Sequence, residues 1–463
     1  MKTQCNDRTD IGALGRRTIV ADFSGEQIST EGGAVVLRVL EEKTGIIERF
    51  AACFRDHRNR ELIEHSVHDL VAQRVFGLAL GYEDLLDHDA LRRDPLLAAV
   101  VGKVDPENLP LAGKSTLNRL ELSTDAAAGH RYNRIELDLA KAADFFVEQF
   151  LRSHEQQNGA APERIVLDLD PSDIPLHGNQ EGRFYHGYYR EYCYLPLYIY
   201  CGEHLLAVRL QTADGDPARH AVEELTRIVA KIRASWPNVR VRVRADSGFC
   251  RDEVFSWCEA NNVEYVIGVA RNARLEPMVK DELEEARKRH ERSKQPERVF
   301  KDLEYQTEKS WTRPRRVVAK AEWLTDKANP RFVATNLTAE QVPAATLYED
   351  EYCPRGEMEN RIKEQQLYLF GTRASVQTIR GNQIRLYFSA VAYTLVQALR
   401  ALALKGTDLA TARADTIRTK LLKIGARVTV TVRRVWVALS SACPYAATFI
   451  TAVAQLRALP SRE

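Results

Sequence analysis

The sequence feature that most constrains the fold is a run of short β segments and helices between Arg164 and Ala270. The β segments are compact and bounded by Pro, Gly or Asn, and one of the intervening helices has clear helical periodicity. In chain order, the pattern predicts strands at 165–170, 188–200 and 204–212, a helix at 216–236, a strand at 239–246, a helix at 251–261 and a strand at 264–270. This βββαβαβ order predicts an α/β protein built on one mixed sheet.

The rest of the chain differs from this central region. Apolar residues recur at helical spacing over 34–122, and helices return from about Pro354 onward. The intervening segments 298–305, 315–321 and 331–335 are β-like. A chain of 463 residues has room for about three domains. We therefore expect a helical N-terminal domain at 1–130, an α/β core at 131–272 and 345–400, a β-rich insertion at 273–344, and a basic helical region at 401–463.

Carboxylates stand where predicted strands end. Asp168 and Asp170 close the first strand, Asp246 closes the fourth, and Glu359 lies on the helix after the fifth. Side chains at the carboxyl ends of neighbouring strands in an open α/β sheet converge on one crevice. Mg²⁺ prefers such oxygen ligands, and two ions can stabilise the attacking and leaving oxygens of a phosphodiester displacement. A single Asp at a strand end is more often a turn former, so the prediction depends on the set.

A short motif narrows this chemistry. The segment Tyr352-Cys-Pro-Arg355-Gly-Glu-Met-Glu359 has the spacing Tyr-x2-Arg-x3-Glu. With this motif, the strand order and the stretches LDLDPSDIPLHGNQEGRF, RADSGFC and RGEMENRIKE, the chain resembles DDE transposases of bacterial insertion sequences, in the cut-and-paste group. The resemblance covers residues 160–400 well and implies a ribonuclease H-like catalytic core interrupted by a β-rich insertion.

The resemblance also implies which carboxylates act. The family's first Asp is followed at the second position by Ser or Thr, which selects Asp170 and leaves Asp168, on the same strand face, in reserve. Asp246 and Glu359 correspond to the second and third carboxylates. These three would be the catalytic residues and the ligands of Mg²⁺, for which Mn²⁺ could substitute.

The motif further implies contacts with DNA. Tyr352 and Arg355 would lie beside the bound DNA end. The family's Lys seven residues after the Glu is replaced by Gln366. Lys363, one turn after Glu359, either takes over that position on nearly the same helix face or forms a solvated ion pair with Glu359. The sequence leaves both alternatives open.

Basic residues are concentrated late in the chain. Between Gly371 and Arg434 there are 12 Lys or Arg residues and two Asp, although the whole chain has 66 basic and 64 acidic residues. Lysine and arginine contacts to phosphate supply most sequence-independent DNA affinity. We therefore expect a DNA surface that includes Arg418, Lys420 and Lys423, with a solvated helical face as the alternative.

Other patterns allow two interpretations. Arg240, Arg242 and Arg244 share one strand face and meet either acidic partners or DNA, and acidic partners are favoured because the strand lies within a covered sheet. Trp311 could stack on an unpaired base, but a core position is favoured. Eight aromatic residues between Phe184 and Tyr200 suit a hairpin packing surface.

Missing motifs argue against several classes of protein. The sequence has no GxxxxGK[ST] loop, so an ATP-driven transposition helper is not indicated. It has no C-x-x-C, so neither a zinc ribbon nor a thioredoxin-type site is supported, and it has no G-x-S-x-G motif.

Secretion and membrane insertion are not indicated either. The N-terminus lacks an apolar signal region, and the apolar runs 386–404 and 435–456 are interrupted by polar residues or Pro444. We expect a cytoplasmic protein with core helices and no membrane contact.

The expected function follows from the resemblance. It implies a transposase that binds terminal inverted repeats as double-stranded DNA, cleaves with Mg²⁺, and joins 3′-hydroxyl ends to target DNA as a homodimer on paired ends. One alternative is a stand-alone nuclease of the same fold. Another is a catalytically silent DNA-binding protein derived from a transposase, against which the retained carboxylates argue.

Overall fold

The structure is a computed structural model that describes residues 8–24, 28–124, 129–325 and 327–462. The strands are β1 (Thr9–Leu14), β2 (Arg17–Ala21), β3 (Ile28–Ser29), β4 (Phe54–Asp56), β5 (Ile135–Leu137), β6 (Arg164–Pro171), β7 (Ile174–Pro175), β8 (Phe184–His186), β9 (Glu191–Tyr194), β10 (Leu197–Cys201), β11 (His204–Arg209), β12 (Arg240–Ala245), β13 (Glu264–Val269), β14 (Glu297–Tyr305), β15 (Arg315–Trp323), β16 (Arg331–Thr335), β17 (Ala426–Thr431) and β18 (Arg434–Leu439).

The α-helices differ widely in length. They are α1 (Val35–Thr44), α2 (Ile46–Ala51), α3 (Val67–Ala79), α4 (His88–Leu91), α5 (Pro95–Val101), α6 (Lys114–Glu121), α7 (Leu139–Asn158), α8 (Ala221–Ser235), α9 (Asp252–Ala260), α10 (Lys280–Ser293), α11 (Ala344–Thr346), α12 (Gly356–Lys363), α13 (Ile379–Ala403), α14 (Ala414–Ile417) and α15 (Ala446–Ala458). Helical structure begins at Ala344, ten residues before the predicted start near Pro354. Helix α11 is followed by π-helical and 3₁₀ turns at 347–355, which lead directly into α12.

A mixed eight-stranded sheet is the centre of the protein. Its strand order is β11-β10-β6-β12-β13-β16-β15-β14. The three central strands β6, β12 and β13 are parallel, and the strands on either side are antiparallel. The segment expected to be a β-rich insertion therefore extends the main sheet, because β16 pairs with β13.

The period of two along the strands separates two cores. In β6, the side chains of Ile165, Leu167 and Leu169 belong to a core shared with α8 and α9. On the other face, Tyr198 and Tyr200 of β10 belong to a second core, which they share with the N-terminal helices and α13. Alternate side chains of a strand point to opposite faces, so one short sequence supplies both layers.

Helix α13 confirms the expected core helix. It begins after Thr378, whose side chain accepts a hydrogen bond from the Gly381 amide. It is long and apolar enough to cross a membrane, but 89% of its most apolar window is buried in the protein. Its neighbours include α3 and α15, so its apolar surface serves the core between the two ends of the chain.

The C-terminal region corrects the expectation of an all-helical segment at 401–463. Strands β17 and β18 form a hairpin there, and β17 also pairs with β3 through Ala426 and Ser29. The physical reason is the alternation of β-branched and polar residues in RVTVTVRRVWVAL, which has a period of two. The N-terminal region is likewise mixed, since β1 and β2 precede its helices.

Candidate active site

The edge of the sheet where β6 and β12 end brings two predicted carboxylates to one place. Asp170 lies at the end of β6, and Asp246 follows β12, which runs parallel to β6. Asp246 begins a 3₁₀ turn, and its Oδ1 accepts a hydrogen bond of 2.8 Å from the Gly248 amide. The turn holds the Asp246 carboxylate at the end of its strand.

The third predicted carboxylate faces the same space. Glu359 lies in the first turn of α12, which packs against β6. Asp170, Asp246 and Glu359 all line one cavity of about 770 Å³. We call these three residues the cavity carboxylates. The sequence prediction that residues 170, 246 and 359 converge agrees with this geometry.

Arg355 lies between two of the cavity carboxylates. Its Nη1 is 3.2 Å from Oδ1 of Asp170, and its Nη2 is 3.4 Å from Oε1 of Glu359. The side chain is mostly buried and lines the cavity. Arg355, for which the resemblance implies a DNA contact, is the internal counter-charge of these two carboxylates in the structure.

The cavity carries an excess of negative charge. Burial raises the pKa of Asp170 to about 7, Arg355 opposes this rise, and the charges of Asp246 and Glu359 add to it. Like charges in a partly buried site disfavour ionisation, and a bound cation relieves that cost. The oxygen donors therefore fit Mg²⁺ or Mn²⁺ in type. In the described ranges, however, no three His, Cys, Asp or Glu side chains form a ready-made metal centre.

Asp168, the reserve candidate, has another role. Arg244 binds it through two hydrogen bonds, of 2.5 Å from Nε and 2.7 Å from Nη2. Both side chains are nearly inaccessible, and Asp168 does not line the cavity. Of the two strand-end carboxylates, Asp170 is therefore the one that faces the cavity.

The arginine face of β12 meets acidic partners, as favoured above. Arg242 pairs with Glu264 at 2.6 Å and also with Glu351, while Arg240 pairs with Glu163. Together with Arg244 these contacts neutralise a row of charges across the sheet. We call this set the strand ion-pair network: Asp168, Arg242, Arg244, Glu264 and Glu351.

Tyr352 lies behind the cavity. It ends a π-helical turn, and burial raises the pKa of its phenol. Its hydroxyl sits over Gly268 of β13, where an added Cβ would be only 2.6 Å from that oxygen. Tyr352 does not line the cavity, and its phenol interacts with the Arg355 side chain. Sequence reasoning missed Gly268, although an isolated Gly inside a strand signals close approach by another group.

Gln366 and Lys363 differ in their contacts. Gln366 donates to Ser172 Oγ at 3.0 Å and to the Asp173 carbonyl at 3.1 Å, which ties the helical segment to the end of β6. Lys363 is exposed on the cavity wall. In the part of the chain that the structure describes, Glu359 pairs with Arg355 and not with Lys363.

Most basic side chains of the segment 371–434 make hydrogen bonds or ion pairs within the protein. Arg418 donates to the carbonyls of Leu78 and Ala79, and also to that of Tyr368. Lys423 binds the buried carboxylate of Glu31 at 2.6 Å. These two side chains therefore join the C-terminal region to the N-terminal helices, and their contact with DNA stays a prediction.

Other basic side chains in this segment remain accessible. Lys420 is partly exposed and lies 5.1 Å from the ring centre of Tyr445. Arg433 and Arg434 are exposed where β17 turns into β18. Charge counting could not separate these groups from Arg418 because it carries no information about partners.

Trp311 occupies the favoured core position. It is 4% exposed, and its ring makes edge contacts with Phe255 and Tyr305 at centroid distances of 5.1 and 5.6 Å.

The aromatic residues between Phe184 and Tyr200 fall into a buried group and an exposed group. Tyr194, Tyr198 and Tyr200 are buried, whereas Tyr185 and Tyr188 are exposed on the β8–β9 hairpin, so the expected packing surface is only partly formed.

Comparisons with known proteins identify the family of this chain. A model of the family described as "Transposase DDE domain group 1" matches residues 11–461. A comparison with curated proteins finds no match. Among solved structures, the chain is similar to one in the cryo-EM structure of a piggyBac transposase synaptic complex with hairpin DNA, with 12% identity, a TM-score of 0.42, and coverage of 84% of this chain and 80% of that one. That likeness is too distant to transfer residue roles. Because the family match spans nearly the whole chain, this chain belongs to the DDE-domain transposases of group 1.

Proposed function

We propose that the protein cleaves DNA phosphodiester bonds at the ends of an insertion sequence and joins the freed ends to target DNA. The observation that supports this proposal is the convergence of Asp170, Asp246 and Glu359 from three separate elements on one cavity. With Asp173, the described part of the cavity wall carries four carboxylates against two cations, Arg355 and Lys363. This excess of negative charge suits metal-assisted phosphoryl chemistry better than a structural ion pair. The strand order around β6 also suits a ribonuclease H-like core.

The proposed reaction has two displacements. Water attacks the scissile phosphorus, the bond to the 3′-oxygen breaks, and a 3′-hydroxyl and a 5′-phosphate result. That 3′-hydroxyl then attacks a phosphorus of the target strand, and the target's own 3′-oxygen leaves. Each displacement forms one P–O bond and breaks one.

The proposed cofactor is Mg²⁺, with Mn²⁺ as a substitute. When bound, such ions stabilise the attacking and leaving oxygens of the displacement. The cavity carboxylates would hold them. Arg355 would keep Asp170 and Glu359 in place, and the exposed Lys363 would contact a DNA phosphate, with Tyr352 supporting Arg355 from behind.

The remaining regions are proposed to bind DNA. The helices of 1–130 would read terminal inverted repeats, and the core at 131–272 and 345–400 would hold the cleaved strand, with 273–344 as the inserted segment. The 401–463 region would add non-specific contacts through Lys420 and the exposed turn of its hairpin. We further propose a homodimer on paired ends, acting in the cytoplasm.

A cleavage and joining assay tests the proposal. The purified chain is incubated with DNA that carries the ends flanking its coding region, a target plasmid and Mg²⁺, and products are resolved by strand. We expect 3′-hydroxyl nicks at the ends and joined products, neither of which Asp246→Asn should yield. Nicks without joined products would instead indicate a nuclease. Binding without nicks by the unmodified chain would indicate a silent DNA-binding protein.

A further inference from the structure

The β8–β9 hairpin carries exposed aromatic rings that the proposed chemistry does not use. We call residues 184–194 the aromatic hairpin. Tyr188 is 84% exposed and Tyr185 is 57% exposed. Tyr185 contacts Tyr192 edge to face, and Tyr188 contacts Tyr189 in the same way. Large exposed rings cost free energy in water, so a cluster of them marks a binding surface.

This aromatic cluster adjoins the candidate active site. Tyr188, Tyr189 and His186 line the same cavity as the cavity carboxylates. The hairpin is anchored at its base, because β9 pairs with β7, which directly follows the strand that carries Asp170. A strand whose phosphate lies at the carboxylates would thus have its neighbouring nucleotides beside Tyr188.

The charges of the aromatic hairpin do not form a phosphate track. Arg183 lies over the Tyr192 ring, 3.7 Å from its centre, and Arg190 is exposed at the turn. Glu191 belongs to the same hairpin, and its pKa is raised by burial and by a hydrogen bond with Asp173. With both signs present, electrostatic attraction to the DNA backbone is weak here. Ring faces backed by an arginine are instead suited to stacking.

Resting on the transposase function proposed above, we propose that the aromatic hairpin stacks against unpaired bases next to the scissile phosphate. The faces of bases inside a duplex are covered by their neighbours, whereas unpaired bases can lie flat on tyrosine rings. The hairpin would thus favour a locally opened strand and keep it beside the cavity carboxylates.

Binding to single-stranded DNA tests this proposal without relying on catalysis. The probes are a fluorescein-labelled oligothymidylate of about twelve nucleotides, within the usual site size for single-strand binding, and a duplex of the same length. Both are titrated with the full chain in EDTA. Replacing Tyr185 and Tyr188 by Leu should weaken oligothymidylate binding about tenfold or more, since stacking is lost at two rings. Duplex binding should change little.

Two measurements distinguish base stacking from non-specific binding to DNA. The weakening should be the same at low and high salt, because stacking releases no counterions. Tyr188→Phe, which keeps the ring, should bind like the unmodified chain. The matched control is Tyr132→Leu, since Tyr132 is 56% exposed with Arg131 over its ring but lies outside the cavity wall.

The proposal is overturned if the unmodified chain fails to bind oligothymidylate or if the double variant binds it equally well. An equal loss in Tyr132→Leu, or a loss that fades at high salt, would also overturn it. If the stacking results are as expected but the unmodified chain neither cleaves nor joins DNA, the proposed function fails and the stacking site stands.

Discussion

The strand ion-pair network and the cavity carboxylates contain the same residue types yet differ in how their charges are matched. In the network, each carboxylate has a guanidinium partner: Arg244 lies 2.7 Å from Asp168, Arg242 lies 2.6 Å from Glu264, and Glu351 pairs with Arg242 and, at 3.1 Å, with Arg164 outside the network. In the cavity, Arg355 serves both Asp170 and Glu359, while Asp246 binds a backbone amide. Carboxylates that are matched inside a sheet are not available to a ligand, whereas unmatched carboxylates on a cavity wall are available to a cation.

Proximity along the sequence says little about which of these roles a residue takes. Asp168 and Asp170 are two residues apart and point to the same face of β6. The first reaches Arg244 on the neighbouring strand, and the second passes the end of that strand and reaches the cavity. Two residues along the same strand face are therefore enough to separate Asp168, which is part of an internal ion pair, from Asp170, which is a candidate catalytic residue.

The largest expected effect is on cleavage by the cavity carboxylates. Asp246→Asn and Glu359→Gln should each reduce Mg²⁺-dependent cleavage by more than about 100-fold, because even residues that only support metal ligands cost 10–100-fold. DNA affinity, measured by titration, should stay near that of the unmodified chain, since it comes from distributed phosphate contacts. Near-normal cleavage by either variant would remove the cavity from the proposed mechanism.

The comparison is sharpest between Asp168 and Asp170. Burial raises the pKa of Asp168 even with Arg244 present, so the pair itself adds little stability. Asp168→Asn, however, leaves Arg244 as a buried charge without its partner, and we expect a loss of about 3–5 kcal/mol in unfolding free energy. Asp170→Asn should be neutral or stabilising, because it removes repulsion from Asp246 and Glu359, while abolishing cleavage.

A double variant provides the control for this pair. Replacing Asp168 by Leu and Arg244 by Met together should recover much of the lost stability, since apolar residues often replace a buried ion pair at little cost. Urea unfolding of the four proteins gives the comparison. If Asp170→Asn proved the less stable single variant, the assignment of the two roles would be reversed.

A substitution at Gly268 tests whether the position of Tyr352, which contacts Arg355, matters for cleavage. A methyl group at this position would press on the Tyr352 hydroxyl at 2.6 Å. Gly268→Ala should therefore displace Tyr352 and Arg355 and lower cleavage by about tenfold, as expected for a supporting contact. Combining it with Tyr352→Phe, which removes the crowded oxygen, should restore only part of the activity, because the added methyl would still lie 3.1 Å from the Ser247 backbone nitrogen. Unchanged cleavage in Gly268→Ala would show that Tyr352 can move without consequence.

The smallest expected effects distinguish matched from unmatched charges in the basic segment. Arg418→Gln should lower unfolding free energy by about 1–3 kcal/mol, because it leaves buried carbonyls without their donor. Arg433→Gln with Arg434→Gln should leave stability unchanged and flatten the slope of log affinity against log salt by up to about 0.9 per lost phosphate contact. An unchanged slope would show that the exposed turn makes no phosphate contact.

Much of the central sheet could be predicted from the chain alone. Strands β6, β12 and β13 were expected within one residue of their observed ends, because compact apolar runs bounded by turn residues have few alternatives. The hairpin β17–β18 was not predicted, because three arginines within residues 427–434 interrupt the apolar pattern that otherwise indicates a strand. The long strand expected at 188–200 was wrong because Gly187 and the residues after it form a turn.

The sequence by itself determined the candidates for the chemistry: strand ends and helix spacing offered Asp168, Asp170, Asp246 and Glu359, and the resemblance to a transposase family selected Asp170 over Asp168. Only the tertiary structure decided which charges are already matched. Arg244 neutralises Asp168 across two strands, and Arg418 caps carbonyls about 340 residues away in the chain. Such pairings depend on distances between elements remote in sequence, which no local pattern specifies, whereas strand period and turn chemistry act between neighbours.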